Sequence, residues 1–175
     1  MPLPSSPSVS SSPPAGAFRA RSPAILVRTV ASPAELRSHL RIREAVFVNE
    51  QALFAGTDRD IHDDDPATLH VLALCDSVAA GTVRLYPLDP AGLTWQGDRL
   101  AVLVPFRTQS VGKPLVRFAV RTAAERGGRV MHAHVQLANV RFFQRLGWTS
   151  LGEPEDYCGI PHQGMEIDLH AHPQG

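Results

Sequence analysis

The chain has 175 residues, of which 43% are hydrophobic, 19% charged and 6% aromatic, and its seventeen Lys and Arg balance seventeen Asp and Glu. That length fits one domain with its own core, and zero net charge speaks against a protein built to neutralise nucleic-acid phosphates. Two cysteines, Cys75 and Cys158, cannot form a disulfide framework, and no run approaches the roughly 20 apolar residues that span a bilayer, so the expectation is a cytoplasmic chain with neither nucleic acid nor membrane as partner.

Residues 1–24 are dominated by Ser and Pro with almost no large apolar side chain. Such a segment buries too little surface to offset its ordering entropy, which predicts a disordered tail ahead of a folded body over 25–175. Ile25–Val30 is a short apolar run suited to a strand. Ser32, Pro33 and Glu35 then form a helix start, and the pairs Leu36/Leu40 and Ile42/Val46 carry the helix to about Phe47 or Glu50. Residues 58–65 read as a polar loop. Residues 70–75 and 78–85 are β-rich and separated by Asp76-Ser77, which predicts a hairpin.

Residues 87–97 read as a loop and Arg99–Val104 as a buried strand. After a polar turn over 107–114, Pro114 opens a helix with a Leu115, Phe118, Ala119, Thr122, Ala123 face, stopped by Gly127-Gly128. Val130–Gln136 is a further strand, Asn139 caps a short helix through Leu146, and Met165–Leu169 alternates as a last half-buried strand would. The mixture predicts an α/β (α+β) domain.

The turn Arg107-Thr108-Gln109-Ser110-Val111-Gly112-Lys113 lies between an apolar strand and a helix. Small residues there let backbone amides converge on an anion at the helix start, with Arg107 and Lys113 adding positive charge. It is neither a nucleotide P-loop nor a G-x-G-x-x-G turn. The acidic cluster from Asp58 to Asp65 fails as an EF-hand, since Asp63 stands where Gly is required and Leu69 where Glu should be. The pairs His132/His134 and His170/His172 have no third ligand at suitable spacing, so no metal is expected. The cluster reads as a solvated surface, or as an attractor for a cationic acceptor. Nothing near Cys158 resembles an activating motif.

Leu100-Ala-Val-Leu-Val-Pro-Phe-Arg107-Thr-Gln-Ser110-Val-Gly112 resembles the acyl-CoA signature of the GNAT N-acyltransferase superfamily, with Ser110 in place of its first Gly. Asn139-Val-Arg-Phe142-Phe143-Gln-Arg-Leu-Gly147-Trp148 is similar to that family's Phe-Tyr-x-x-x-Gly-Phe helix. The segments Arg41–Gln51, Asp58–His70 and Gly159–Met165 resemble the ElaA-like branch, close to proteins linked by gene context to nitrogen starvation.

The resemblance implies a GNAT fold, with a central, mostly antiparallel sheet in which a parallel pair of strands splays apart to admit the pantetheine arm. It implies an acyl-CoA cosubstrate, acetyl-CoA first, and a small-molecule amine acceptor that attacks directly. Amides from Thr108 to Lys113 would hold the pyrophosphate, the strand Leu100, Ala101, Val102 would pair with pantetheine, and an amide near Leu103 would polarise the thioester. Gln136 would bond the pantetheine amides. For proton transfer, Glu50 and His134 are the candidate bases and His162 a candidate for the acceptor pocket. The usual tyrosine acid is replaced by Phe143, leaving Tyr157 or a histidine to substitute. A non-catalytic acyl-CoA sensor and an autoinducer-type acyl synthase are the alternatives, and the resemblance leaves room for a homodimer.

Overall fold

In a computed structural model, described over residues 21–170, seven strands form one sheet in the order β1-β2-β3-β4-β5-β7-β6. The expected tail lies, as far as residue 20, outside the described residues. β1 (Ile25–Thr29) pairs antiparallel with β2 (Leu69–Cys75), and β2 with β3 (Val78–Pro87). The β2–β3 turn is Asp76-Ser77, both at positive φ, which matches the twist of the flanking strands. β3 pairs antiparallel with β4 (Thr94–Val102).

α1 (Pro33–Arg43) starts on Ser32, whose hydroxyl accepts from the Glu35 amide at 3.2 Å. The Glu35 carboxylate reaches back to the Ala31 amide. The helix continues as a π-helical turn over Glu44–Glu50, so the expected extent holds with a change of winding. α2 (Gly112–Glu125) buries Leu115, Val116, Ala119, Thr122 and Ala123, and begins two residues before the expected Pro114. α2 packs over β1–β4 on one face; α1 covers β2–β4 on the other.

β5 (Val130–Gln136) follows α2, and α3 (Val140–Gln144) ends before Gly147 at φ 91°. The chain closes with the hairpin β6 (Thr149–Tyr157) and β7 (Ile160–Asp168), β7 lying between β5 and β6. The last strand therefore starts at Ile160 rather than Met165, and β6 escapes prediction. All nine of its residues are exposed, so it carries no apolar alternation to betray it. The loop expected over 87–97 ends at Leu93, and β4 begins five residues before the expected Arg99. Its first residues bury Trp95 and Gln96, despite the Gly97 that suggested a loop.

β4 and β5 are the parallel neighbours, and they pair only over Thr94–Gln96 against Val130–His132. Beyond Gln96 the two strands part. The mixed sheet, the splayed pair and the flanking helices are those of the expected fold.

Candidate active site

The parting strands enclose a cavity of about 310 Å³, walled by Gln96–Leu100 of β4 and by Met131 and Ala133–Gln136 of β5. Phe47, Gln51 and Phe54 close it on the α1 side, while Val116, Ala119 and Phe143 line its inner end. A register shift in the β3–β4 ladder sets Arg99 and Leu100 together opposite Val83, with Arg99 at φ 50°. This bulge re-aims the strand just where it leaves β5.

Beyond the bulge Ala101 lies opposite Thr82, and the Leu103 amide donates to the Ala80 carbonyl at 2.9 Å. The Leu103 amide is therefore spoken for and faces β3, which corrects its expected role at the thioester. Antiparallel alternation turns the main-chain groups of Val102, and of Leu100 two residues earlier, into the wedge. The Val102 carbonyl accepts from Arg107 Nε at 3.0 Å.

Past Val102 a 3₁₀ segment, Val104–Gln109, carries Arg107, Thr108 and Gln109, and Ser110 turns the chain at φ 60° and ψ 29°. Val111 is fully buried beneath the start of α2, while Lys113 is exposed. The Gln109 amide oxygen accepts from Cys75 Sγ at 2.7 Å, so its side chain braces the loop from behind. Gly112 has room around it: a Cβ there would meet only the Phe142 ring edge at 3.6 Å.

Glu50, at the end of the π-helical turn, lies across the cleft mouth rather than within the cavity. Its two carboxylate oxygens each accept from Arg107, both at 2.7 Å. Those hydrogen bonds hold the Glu50 carboxyl below its ordinary range.

The other candidate base, His134, stands exposed on β5 and lines the cavity. Its ring stacks over Tyr157 with centroids 6.2 Å apart, and Tyr157 meets His162 edge to face at 5.3 Å. His162 is buried, and its Nδ1 lies 2.8 Å from the Ile160 carbonyl. Donation from Nδ1 to that carbonyl leaves Nε2 as the basic nitrogen. Two histidines and a tyrosine from β5, β6 and β7 thus share one wall. Gln136 lines the same cavity, and its amide donates to the Gln51 side chain at 2.9 Å, bridging the mouth. Phe143 is buried and packs edge to face on Phe142 and Trp148.

The acidic loop is a solvated surface only in part: Asp64 and Asp65 are exposed, whereas Asp58 and Asp63 are drawn inward. Arg43, Arg84 and Arg99 converge on Asp58, Asp60, Asp63 and Asp98, and the side chains of Arg43 and Arg84 are 0% exposed. Asp58 and Asp63 are 3% and 2% exposed, so neither is free to attract an acceptor. Burial alone would raise the Asp63 carboxyl, but hydrogen bonds from Arg43 and from the Asp60 amide hold it far below its ordinary value. Asp98 and Arg99 also line the cavity, so the network shapes its wall. The run of aspartates was legible in the sequence; the arginines that meet it come from three separate elements. Among the described residues, no group of three or more His, Cys, Asp or Glu could hold a metal ion. No described helix is long and apolar enough to cross a membrane.

The Acetyltransferase (GNAT) family profile matches residues 35–148. A Bacillus subtilis (strain 168) protein described as an acetyltransferase is 30% identical over 140 residues, covering 78% of this chain and 91% of its own. The crystal structure of a Lactobacillus plantarum protein described as an N-acetyltransferase superposes with a TM-score of 0.74 at 25% identity, over 83% of this chain and 99% of that one. Escherichia coli ElaA gives the same TM-score at 23% identity, over 83% and 100%, a likeness of fold.

Proposed function

The chain belongs to the GNAT acetyltransferase family, and on that premise we propose that residues 25–175 form one domain that transfers an acyl group, acetyl first, from acyl-CoA to a small-molecule amine. The observation that carries this reading is the wedge. It has an inner edge on β4 that no strand pairs beyond Gln96, it leads into a tight loop, and that loop opens α2 with no side chain capping the helix start.

In this reading the amides of Thr108–Lys113 and the start of α2 receive the pyrophosphate. The inner edge of β4 at Leu100 and Val102 adds the pantetheine arm as a short extra strand. An amide there replaces the one expected at Leu103 in polarising the thioester carbonyl. His134 takes the proton from the attacking ammonium, directly or through water. Tyr157, stacked on His134 in the cavity wall, returns a proton to the departing thiolate in this reading, a role that buried Phe143 has no group to fill. His162 bounds the acceptor side, and Gln136 bonds the pantetheine amides.

The test is calorimetric titration with acetyl-CoA, CoA and a longer acyl-CoA, on the wild-type protein and on Gly112→Glu. Because a Cβ at Gly112 meets only the Phe142 ring edge, the variant should fold, while its carboxylate repels the pyrophosphate. Saturable binding that the variant loses is the expected outcome. Absence of binding to every CoA species by a folded wild-type protein would remove the reading.

A further inference from the structure

Arg107 is held at three points, by Val102 through Nε and by both oxygens of Glu50 through its terminal nitrogens. The first contact occupies a main-chain acceptor that faces into the wedge. The other two tie the pyrophosphate-side loop to the end of the π-helical turn that roofs the cavity, whose next residue, Gln51, bonds Gln136 of the far wall. The guanidinium belongs to the segment that opens the proposed pyrophosphate loop, and 42% of its side chain is exposed to meet an anion.

Resting on the acyl-CoA reading above, we infer that the Glu50–Arg107 pair is a latch across the cleft mouth: seating of acyl-CoA opens it, and Glu50 acts through Arg107 as a positioning residue that sets the strength of cofactor binding. The physical argument is a competition for one cation. A guanidinium gives its bidentate face to one anion at a time, so a diphosphate arriving at the loop displaces the Glu50 carboxylate. The same movement uncovers the Val102 carbonyl for the pantetheine arm. Glu50, relieved of Arg107, returns toward ordinary carboxylate basicity at the rim of the acceptor side. The free enzyme therefore holds the Glu50 carboxylate neutralised and the Val102 carbonyl occupied until the acyl donor arrives.

The test titrates acetyl-CoA and CoA into the wild-type protein, Glu50→Gln and Glu50→Asp, with thermal melts of each protein alone. Opening the latch in advance should tighten both ligands about two- to fivefold, the range of an exposed ion pair. Aspartate keeps the charge but is too short to close the fork on an Arg107 anchored at Val102, so it should tighten binding as glutamine does. In an Arg107→Gln background, which removes the cation, the Glu50→Asp change should have no further effect, as coupling through Arg107 requires. Tightening by glutamine alone would show a bulk charge effect and overturn the latch, as would weakening or wild-type affinity in both variants. Failure of all the proteins, wild type included, to bind any CoA species would instead sink the acyl-CoA reading itself.

Discussion

Ser110 stands at φ 60° in the left-handed region, where an L side chain costs about 1–2 kcal/mol relative to glycine. The turn must take that shape to bring the loop onto the start of α2, so Ser110→Gly should stabilise the fold by about 1 kcal/mol, read as a rise in urea midpoint at unchanged slope. An unchanged midpoint would mean that the serine is relieved in some other way. His134 makes the second prediction at this scale. If it accepts the ammonium proton, His134→Gln should lower kcat by about 10²–10⁴ with the affinity for acetyl-CoA unaltered; a full-rate variant would pass the role to another group of the same wall. Residues that are neighbours in the chain, from Arg107 to Gly112, were legible as a strand-to-helix turn from spacing and as a candidate site from the resemblance. The Glu50–Arg107 pair was not, since 57 residues separate its members. The Leu103 amide was misassigned because a bulge one turn of the pleat earlier decides which amides face the wedge.

Among the elements, α1 is tied to the sheet by groups that titrate. His39 is fully buried, with Nδ1 3.1 Å from the Val71 carbonyl and Nε2 3.4 Å from His70. Burial first, then the charges of His70 and Arg43, lower its imidazole from 6.5 to about 3. Between those values the unfolded chain carries a proton that the folded one refuses, so stability rises with pH across the window and is complete above 6.5. The slope reaches about 1.4 kcal/mol per pH unit, and His70, also lowered by burial, adds in the same direction. His39→Asn keeps a donor toward Val71 and cannot titrate, so its stability should fall less steeply from pH 6.5 to 4.5, as followed by urea unfolding. Parallel curves would remove His39 as the cause. The depressed carboxyls of Asp60 and Asp63 contribute with the same sign at lower pH, since their stabilisation is lost only as pH falls below the unfolded carboxylate value. Helix starts, the Asp76-Ser77 hairpin and the α2 face were readable because each is decided locally. The burial of Asp58 and Asp63 in the acidic loop was not, because it depends on Arg43, Arg84 and Arg99 arriving from elsewhere.

For the whole molecule, the governing feature is a sheet that is continuous at one end and open at the other. The strand–helix–strand unit that makes the wedge is contiguous in sequence and was anticipated. The final hairpin was only half seen, although it places β7 inside the sheet and brings Tyr157 and His162 to the cavity. An open edge has a signature in hydrogen exchange. The amides of Leu100 and Val102 should exchange faster than those of Ala101 and Leu103 in the free protein, and acetyl-CoA should slow the first pair selectively. Uniform protection along β4 without ligand would contradict an unpaired inner edge. The outer edge has a different consequence. β6 is exposed along its whole length, and such a strand is a template on which another chain can grow. Here the ladder slips between Leu151 and Glu155, with Pro154 lacking an amide to donate and with Glu153, Glu155 and Asp156 clustered beside it. A neighbouring copy would have to match a broken register against like charge. The strand that carries Tyr157 to the cavity wall is therefore a poor seed for fibres.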